Sequence, residues 1–133
     1  MPIPPDERAQ RGREAYASQF GIAAEDVDAW FAERYGERFG EEAVNAAAGA
    51  WVDDALSLRD RSLVVVAALI VQGGADERLR GHVRWAVDHG ATRAELEALG
   101  SLLAVYAGYP RAAGGLEIVR DELAKLDERG GTR

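Results

Sequence analysis

Nine consecutive apolar residues, Leu63 to Val71 within "SLRDRSLVVVAALIVQGG", constrain this chain more than any other feature. Such a run is either a strand buried on both faces or a helix deep in a bundle, and the two lead to different fold classes. The flanking residues decide between them. Ser57 with Asp60 three positions later has the spacing of a capping box, and Gly73-Gly74 is a helix stop. About fifteen residues between such signals are too many for an ordinary strand and predict a buried central helix.

The other segments carry the same punctuation. "PPDERAQRGREAYASQF" opens on prolines and acids and predicts an N-terminal helix or arm over residues 1–20, closed by Gly21. "AAEDVDAWFAERYG" spaces Val27, Trp30, Phe31 and Tyr35 at helical intervals and stops at Gly36. "GEEAVNAAAGAWVDDAL" is alanine-rich, which suits a helix that packs closely. "ADERLRGHVRWAVDHG" predicts a helix with Asp76 as N-cap and Gly90 at its C-cap, and Thr92 with Glu95 forms a second capping box. Pro110 starts a last helix carrying Leu116, Val119, Leu123 and Leu126, and residues 128–133 are expected to fray. The prediction is all-α, six or seven short helices in a single domain spanning 1–133.

Composition narrows the function. The 133 residues include no cysteine, which excludes disulfides, thiolate metal sites and thiol nucleophiles. Two histidines argue against a bound transition metal. A formal charge of −7 without a basic stripe disfavours nucleic acid as a partner. No apolar run reaches the ~20 residues of a membrane span, and the first residues lack the apolar core of a secretory signal. These bounds point to a cytoplasmic protein acting on small molecules or on other proteins.

Both histidines lie in one stretch, "LRGHVRWAVDHG". On a helix, Leu79, Val83, Ala86 and Val87 fall within roughly 60° of one direction and face the core. Arg78, His82, Trp85 and His89 form a second stripe, roughly 100° or more away. A tryptophan gains from burial, so this second stripe predicts a subunit seam or the wall of a pocket. His82 is either a hydrogen-bonded shoulder residue or a proton carrier. His89, just before the C-cap glycine, suits a structural role at the helix C-terminus.

The order "W-x4-L-x-L-R-D-R-S-L" from Trp51 to Leu63, then "LRGHVRWAVDHGATRAEL", then "LAVYAGYP", resembles the carboxymuconolactone decarboxylase family over roughly residues 40–120. The resemblance implies an all-α fold of about six helices. It also implies a homo-oligomer, a hexamer built as a trimer of dimers or a trimer, with active sites near subunit contacts. A sister branch, the alkylhydroperoxidase-like proteins, uses a Cys-x-x-Cys pair and a glutamate. Aligned on His82, those positions hold Ala75, Arg78 and Ser62, so thiol peroxidase chemistry is excluded.

The name reaction of the family removes CO2 from a carboxylated unsaturated lactone, a step of aromatic catabolism. The lactone carbonyl accepts the electron pair through conjugation, so the resemblance implies no cofactor and no metal. The protein must hold a dianion, stabilise charge on the lactone oxygen and protonate a ring carbon. His82 matches the family histidine and is the implied general acid. Arg61, in the first turn of the central helix, gains nothing from the helix dipole and needs an anion. That anion is the substrate or one of Asp53, Asp54 and Asp60. Arg59, Trp51, Trp85, Tyr106 and Tyr109 are the further substrate-binding candidates, with packing as the alternative for the aromatic ones.

Two departures stand out. Where the family's decarboxylases carry Arg-Pro-Gly, this chain has Asp53-Asp54-Ala55, and the family's cysteine in "VYCG" is Ala107. An acid in place of a cation weakens the case for a dicarboxylate. Two alternatives therefore stand beside the decarboxylase. One is a same-fold isomerase, lactone hydrolase or cyclase acting on a small carbonyl metabolite. The other is a non-catalytic helical oligomer.

Overall fold

A computed structural model describes residues 2–130. Among these residues the chain forms seven α-helices, one short 3-10 turn and one π-helical segment, and no strand. It divides into two compact units, Met1–Leu56 and Ser57–Arg133. Of the expected frayed tail, residues 131–133 lie outside the described residues, and Glu128 closes the last helix.

In the first unit α1 spans Arg8–Phe20, α2 Val27–Tyr35 and α3 Glu37–Ala47, with a 3-10 turn over Ala24–Asp26. Gly21 and Gly36 follow α1 and α2 at positive φ, as their places in the sequence require. The core is Val27, Phe31 and Val44, ringed by aromatic side chains. Phe20 stacks on Trp30 at 4.0 Å between centroids, and Tyr16 meets Phe31 edge-on at 4.9 Å. Gly12 explains how α1 seats on α3: a Cβ there would lie 1.7 Å from the Val44 carbonyl oxygen, so only glycine fits. The alanine-rich helix starts earlier than "GEEAV" indicates, at Glu37. It loosens into a π-helical segment over Ala48–Val52, which carries Trp51.

The second unit contains α4, Leu58–Gln72; α5, Asp76–Asp88; α6, Arg93–Ala107; and α7, Tyr109–Glu128. Helix α5 packs on both α4 and α7, α6 packs on α7, and α4 also touches α6 and α7. Val66, Ile70, Leu79, Val83, Ala86, Leu96, Val119 and Leu123 fill the space between them. The apolar run is a helix, started by the Ser57 hydroxyl accepting from the Asp60 amide at 3.0 Å and stopped at Gly73. It is not buried all round, however. Val64, Ala68 and Val71 recur at helical spacing on a face left exposed, because the neighbours of α4 within this unit cover only its other side.

The Thr92–Glu95 capping box at the start of α6 forms in both directions, Glu95 N to Thr92 Oγ1 at 3.2 Å and Thr92 N to Glu95 Oε1 at 2.9 Å. The ends of α5 differ by one residue from expectation. Ala75 is its N-cap and Asp76 its first helical residue, where the carboxylate meets the positive end of the dipole. At the other end His89 is the C-cap and Gly90, at φ 100°, turns the chain away.

Candidate functional site

The residues to be placed lie mostly on α4 and α5, which pack side by side. His82, Trp85 and His89 sit at i, i+3 and i+7 on α5, close to one line down the helix. Their rings form a row: His82 and Trp85 centroids are 5.9 Å apart, and Trp85 and His89 centroids 4.7 Å apart. Trp85 is only 6% exposed in the single chain. The subunit seam expected to cover it is therefore not what buries it. The buried residues of α5 are Leu79, Val83, Trp85 and Ala86, so its buried arc is wider than one stripe.

His82 is half-buried, and its Nδ1 is shut away from solvent with its hydrogen-bonding capacity unused, while the ring as a whole is engaged with Trp85. Burial pushes its pKa below 6.5, favouring neutral imidazole. His89 is also pushed down, first by burial, against smaller opposing effects from Asp88 and from a hydrogen bond with the Leu58 backbone. Its Nδ1 lies 2.8 Å from the Ser62 hydroxyl. Ser62 is itself buried in α4, so this hydrogen bond and the one to the Leu58 backbone tie the start of α4 to the end of α5.

Arg61, next to Ser62, is buried and engaged within the chain. Arg59 is committed to protein acids. Its guanidinium meets Asp60 at 2.7 Å and also pairs with Glu95, the capping-box residue of α6. Tyr106 and Tyr109 flank the Gly108 turn between α6 and α7 and are 81% and 76% exposed. Trp51 is half-buried in the π-helical segment of the first unit. In the same unit the Asp53 carboxylate accepts from the Ala55 amide at 2.8 Å, a local turn that uses one of its oxygens.

The arrangement thus joins His82 to Trp85 and holds Arg61 one residue from the α4–α5 clasp. It leaves Tyr106 and Tyr109 on an open corner. Sequence reading missed Ser62 as a partner of His89. The available signal was a hydroxyl amid the apolar positions of α4. It also missed Glu122, buried on α7 and hydrogen-bonded to Arg84 and Arg80 of α5. Its place beside Val119 and Leu123 on the apolar stripe was the clue. Among the described residues no cluster of three or more His, Cys, Asp or Glu side chains is arranged to hold a metal ion. No helix there is long and apolar enough to cross a membrane.

Compared with known proteins, residues 38–121 match the model of the carboxymuconolactone decarboxylase family. That span covers α4, α5 and α6 whole and α7 as far as Asp121. No curated protein matches the chain.

Proposed function

The chain belongs to the carboxymuconolactone decarboxylase family, and from that premise we propose that it is a cofactor-free decarboxylase of a carboxylated unsaturated lactone, of the 4-carboxymuconolactone type, acting as a cytoplasmic homo-oligomer. The reading takes His82 as the family's histidine, and what supports it is the wall that His82 shares with Trp85 and a burial that favours its neutral form when the protein is alone.

A dianionic substrate changes that state. Its negative charge beside the imidazole favours the protonated form, opposing the effect of burial. Arg61 is the cation assigned to the substrate carboxylates, because its planar fork matches them and its burial strengthens the pairing. The bond between the ring carbon and the carboxylate then breaks and CO2 leaves. The electron pair passes through conjugation into the lactone carbonyl as a dienolate. His82 gives its proton to the ring carbon, yielding the enol-lactone, and returns to the neutral imidazole that its surroundings favour. Water restores the proton. Trp85 supplies the apolar wall, and Tyr106 and Tyr109 are the hydroxyl donors assigned to the lactone oxygen. Arg59, already shared between Asp60 and Glu95, contributes field rather than direct contact.

A second reading is favoured by the acids Asp53 and Asp54 in place of a cation. A neutral imidazole at His82 also suits proton shuttling on an uncharged carbonyl compound, as in an isomerase, lactone hydrolase or cyclase. CO2 release from 4-carboxymuconolactone by wild type and by His82→Ala separates the two. Turnover that falls by ~10²-fold or more in the variant supports the decarboxylase. A folded wild type that leaves this substrate intact overturns it in favour of the neutral-carbonyl reading.

A further inference from the structure

We propose that His89 is a positioning residue for His82, clasped by Ser62 and acting through the Trp85 indole. The chain of contacts is continuous. The Ser62 hydroxyl on α4 lies 2.8 Å from His89 Nδ1, and the His89 ring is also hydrogen-bonded to the Leu58 backbone. The held ring lies 4.7 Å from the Trp85 ring, and Trp85 lies 5.9 Å from His82.

Each link restricts the next. A histidine at a helix C-cap ordinarily has freedom to swing toward solvent, since few neighbours surround a helix end. Two hydrogen bonds to the first turns of α4 remove that freedom. The fixed imidazole then closes one side of the slot holding Trp85, and a buried indole so bounded has few rotamers left. His82 lies one turn back along the same face of α5, so its ring meets the opposite side of that slot. The orientation of the His82 imidazole is therefore set from two turns away by a residue with no contact of its own to the chemistry. The consequence for turnover rests on His82 being the proton donor; the mechanical coupling does not.

The chain holds only two histidines, so imidazole NMR titration follows each one separately. In Ser62→Ala and in His89→Ala, loosening of Trp85 admits water to His82, and its titration midpoint rises toward 6.5. His89→Phe keeps a ring against Trp85 and restores at least half of that displacement. On 4-carboxymuconolactone, kcat falls roughly tenfold in His89→Ala while KM changes little, as expected for misorientation rather than lost binding. Should Ser62→Ala fail to fold, His89→Ala, altered at a half-buried helix end, carries the test. A His82 midpoint unmoved in His89→Ala overturns the proposal, whatever the activity. A wild type that releases no CO2 but whose His82 midpoint shifts in these variants supports the positioning role and removes only the decarboxylase reading.

Discussion

Glu122 on α7 is 2% exposed, and its carboxylate accepts a hydrogen bond from Arg84 on α5 at 2.7 Å. Arg80, one turn earlier on α5, reaches the other oxygen at 3.4 Å, and Arg129 stands 3.9 Å away. A buried carboxylate is tolerable only in such company, because an uncompensated charge in the interior is costly. The cluster fixes α5, and with it His82 and Trp85, against α7.

Removing the acid and removing the bases therefore have unequal effects. Arg84→Ala leaves Glu122 with Arg80, and the cost is about 1 kcal/mol. Arg80→Ala with Arg84→Ala leaves the buried carboxylate with only the distant, exposed Arg129, and the loss goes well beyond the sum of the two single changes. Glu122→Ala falls between, about 2 kcal/mol, since Arg84 regains water and Arg80 keeps Asp121. Urea denaturation of Arg80→Ala, Arg84→Ala, the double variant and Glu122→Ala checks the order, and additive losses would count against a shared partner.

Two adjacent glycines in α7 make a sharper test of packing. A Cβ on Gly115 would lie 2.5 Å from Ile70 Cγ2, inside the core between α7 and α4, whereas one on Gly114 meets nothing within 4 Å. Gly115→Ala is expected to destabilise by about 2 kcal/mol through overpacking. Gly114→Ala is expected to stabilise by about 0.5 kcal/mol through helix propensity and a less flexible unfolded chain. Thermal melts of the pair should move in opposite directions.

The fold was legible in the sequence where local chemistry decides it. Ser57 with Asp60, Thr92 with Glu95 and the glycines after α1, α2 and α4 mark helix ends because caps satisfy backbone groups a few residues away. What escaped depends on neighbours distant in sequence. The burial of Trp85 within a single chain depends on packing, which periodicity along α5 alone does not reveal. Glu122 lies on the amphipathic α7, and only the arginines of α5, some forty residues earlier, offset the cost of its burial. The Ser62–His89 clasp spans 27 residues and likewise needs the packing of α4 on α5. For the candidate site, His82 and Arg61 were named from motif order and the stripe of His82, Trp85 and His89 from helical spacing, while the hydroxyl that holds His89 emerged only in three dimensions.

Stability should depend on pH through the two histidines. Burial holds both below 6.5 in the folded chain, so between those values and 6.5 the unfolded state binds more protons. Their contribution is fully present above pH ~6.5, falls as pH drops through the window beneath it and levels off once both states are protonated. Urea midpoints measured from pH 7.5 downward should decline from about 6.5 in wild type. The decline should be shallower in His82→Gln, which carries no titrating ring, and an identical slope in that variant would contradict the burial of His82.

The corner between α6 and α7 bears on assembly. Val105, Tyr106 and Tyr109 are 73%, 81% and 76% exposed, Leu102 joins them, and no charged residue occurs from Ala98 to Pro110. In a chain with 29% charged residues, so much neighbouring apolar surface left in water is unfavourable, and its burial against a second copy offsets that cost. The proposed homo-oligomer therefore uses this corner, which would also enclose the tyrosine hydroxyls assigned to the lactone. Val105→Glu places a carboxylate in the contact and should dissociate the assembly by at least tenfold in Kd, read by sedimentation at micromolar concentration. Helix content should be unchanged, because Val105 makes little use of its own chain for burial. If the variant keeps the mass of the wild-type oligomer, the contact lies elsewhere, and Tyr106 and Tyr109 lose their assigned place in the site.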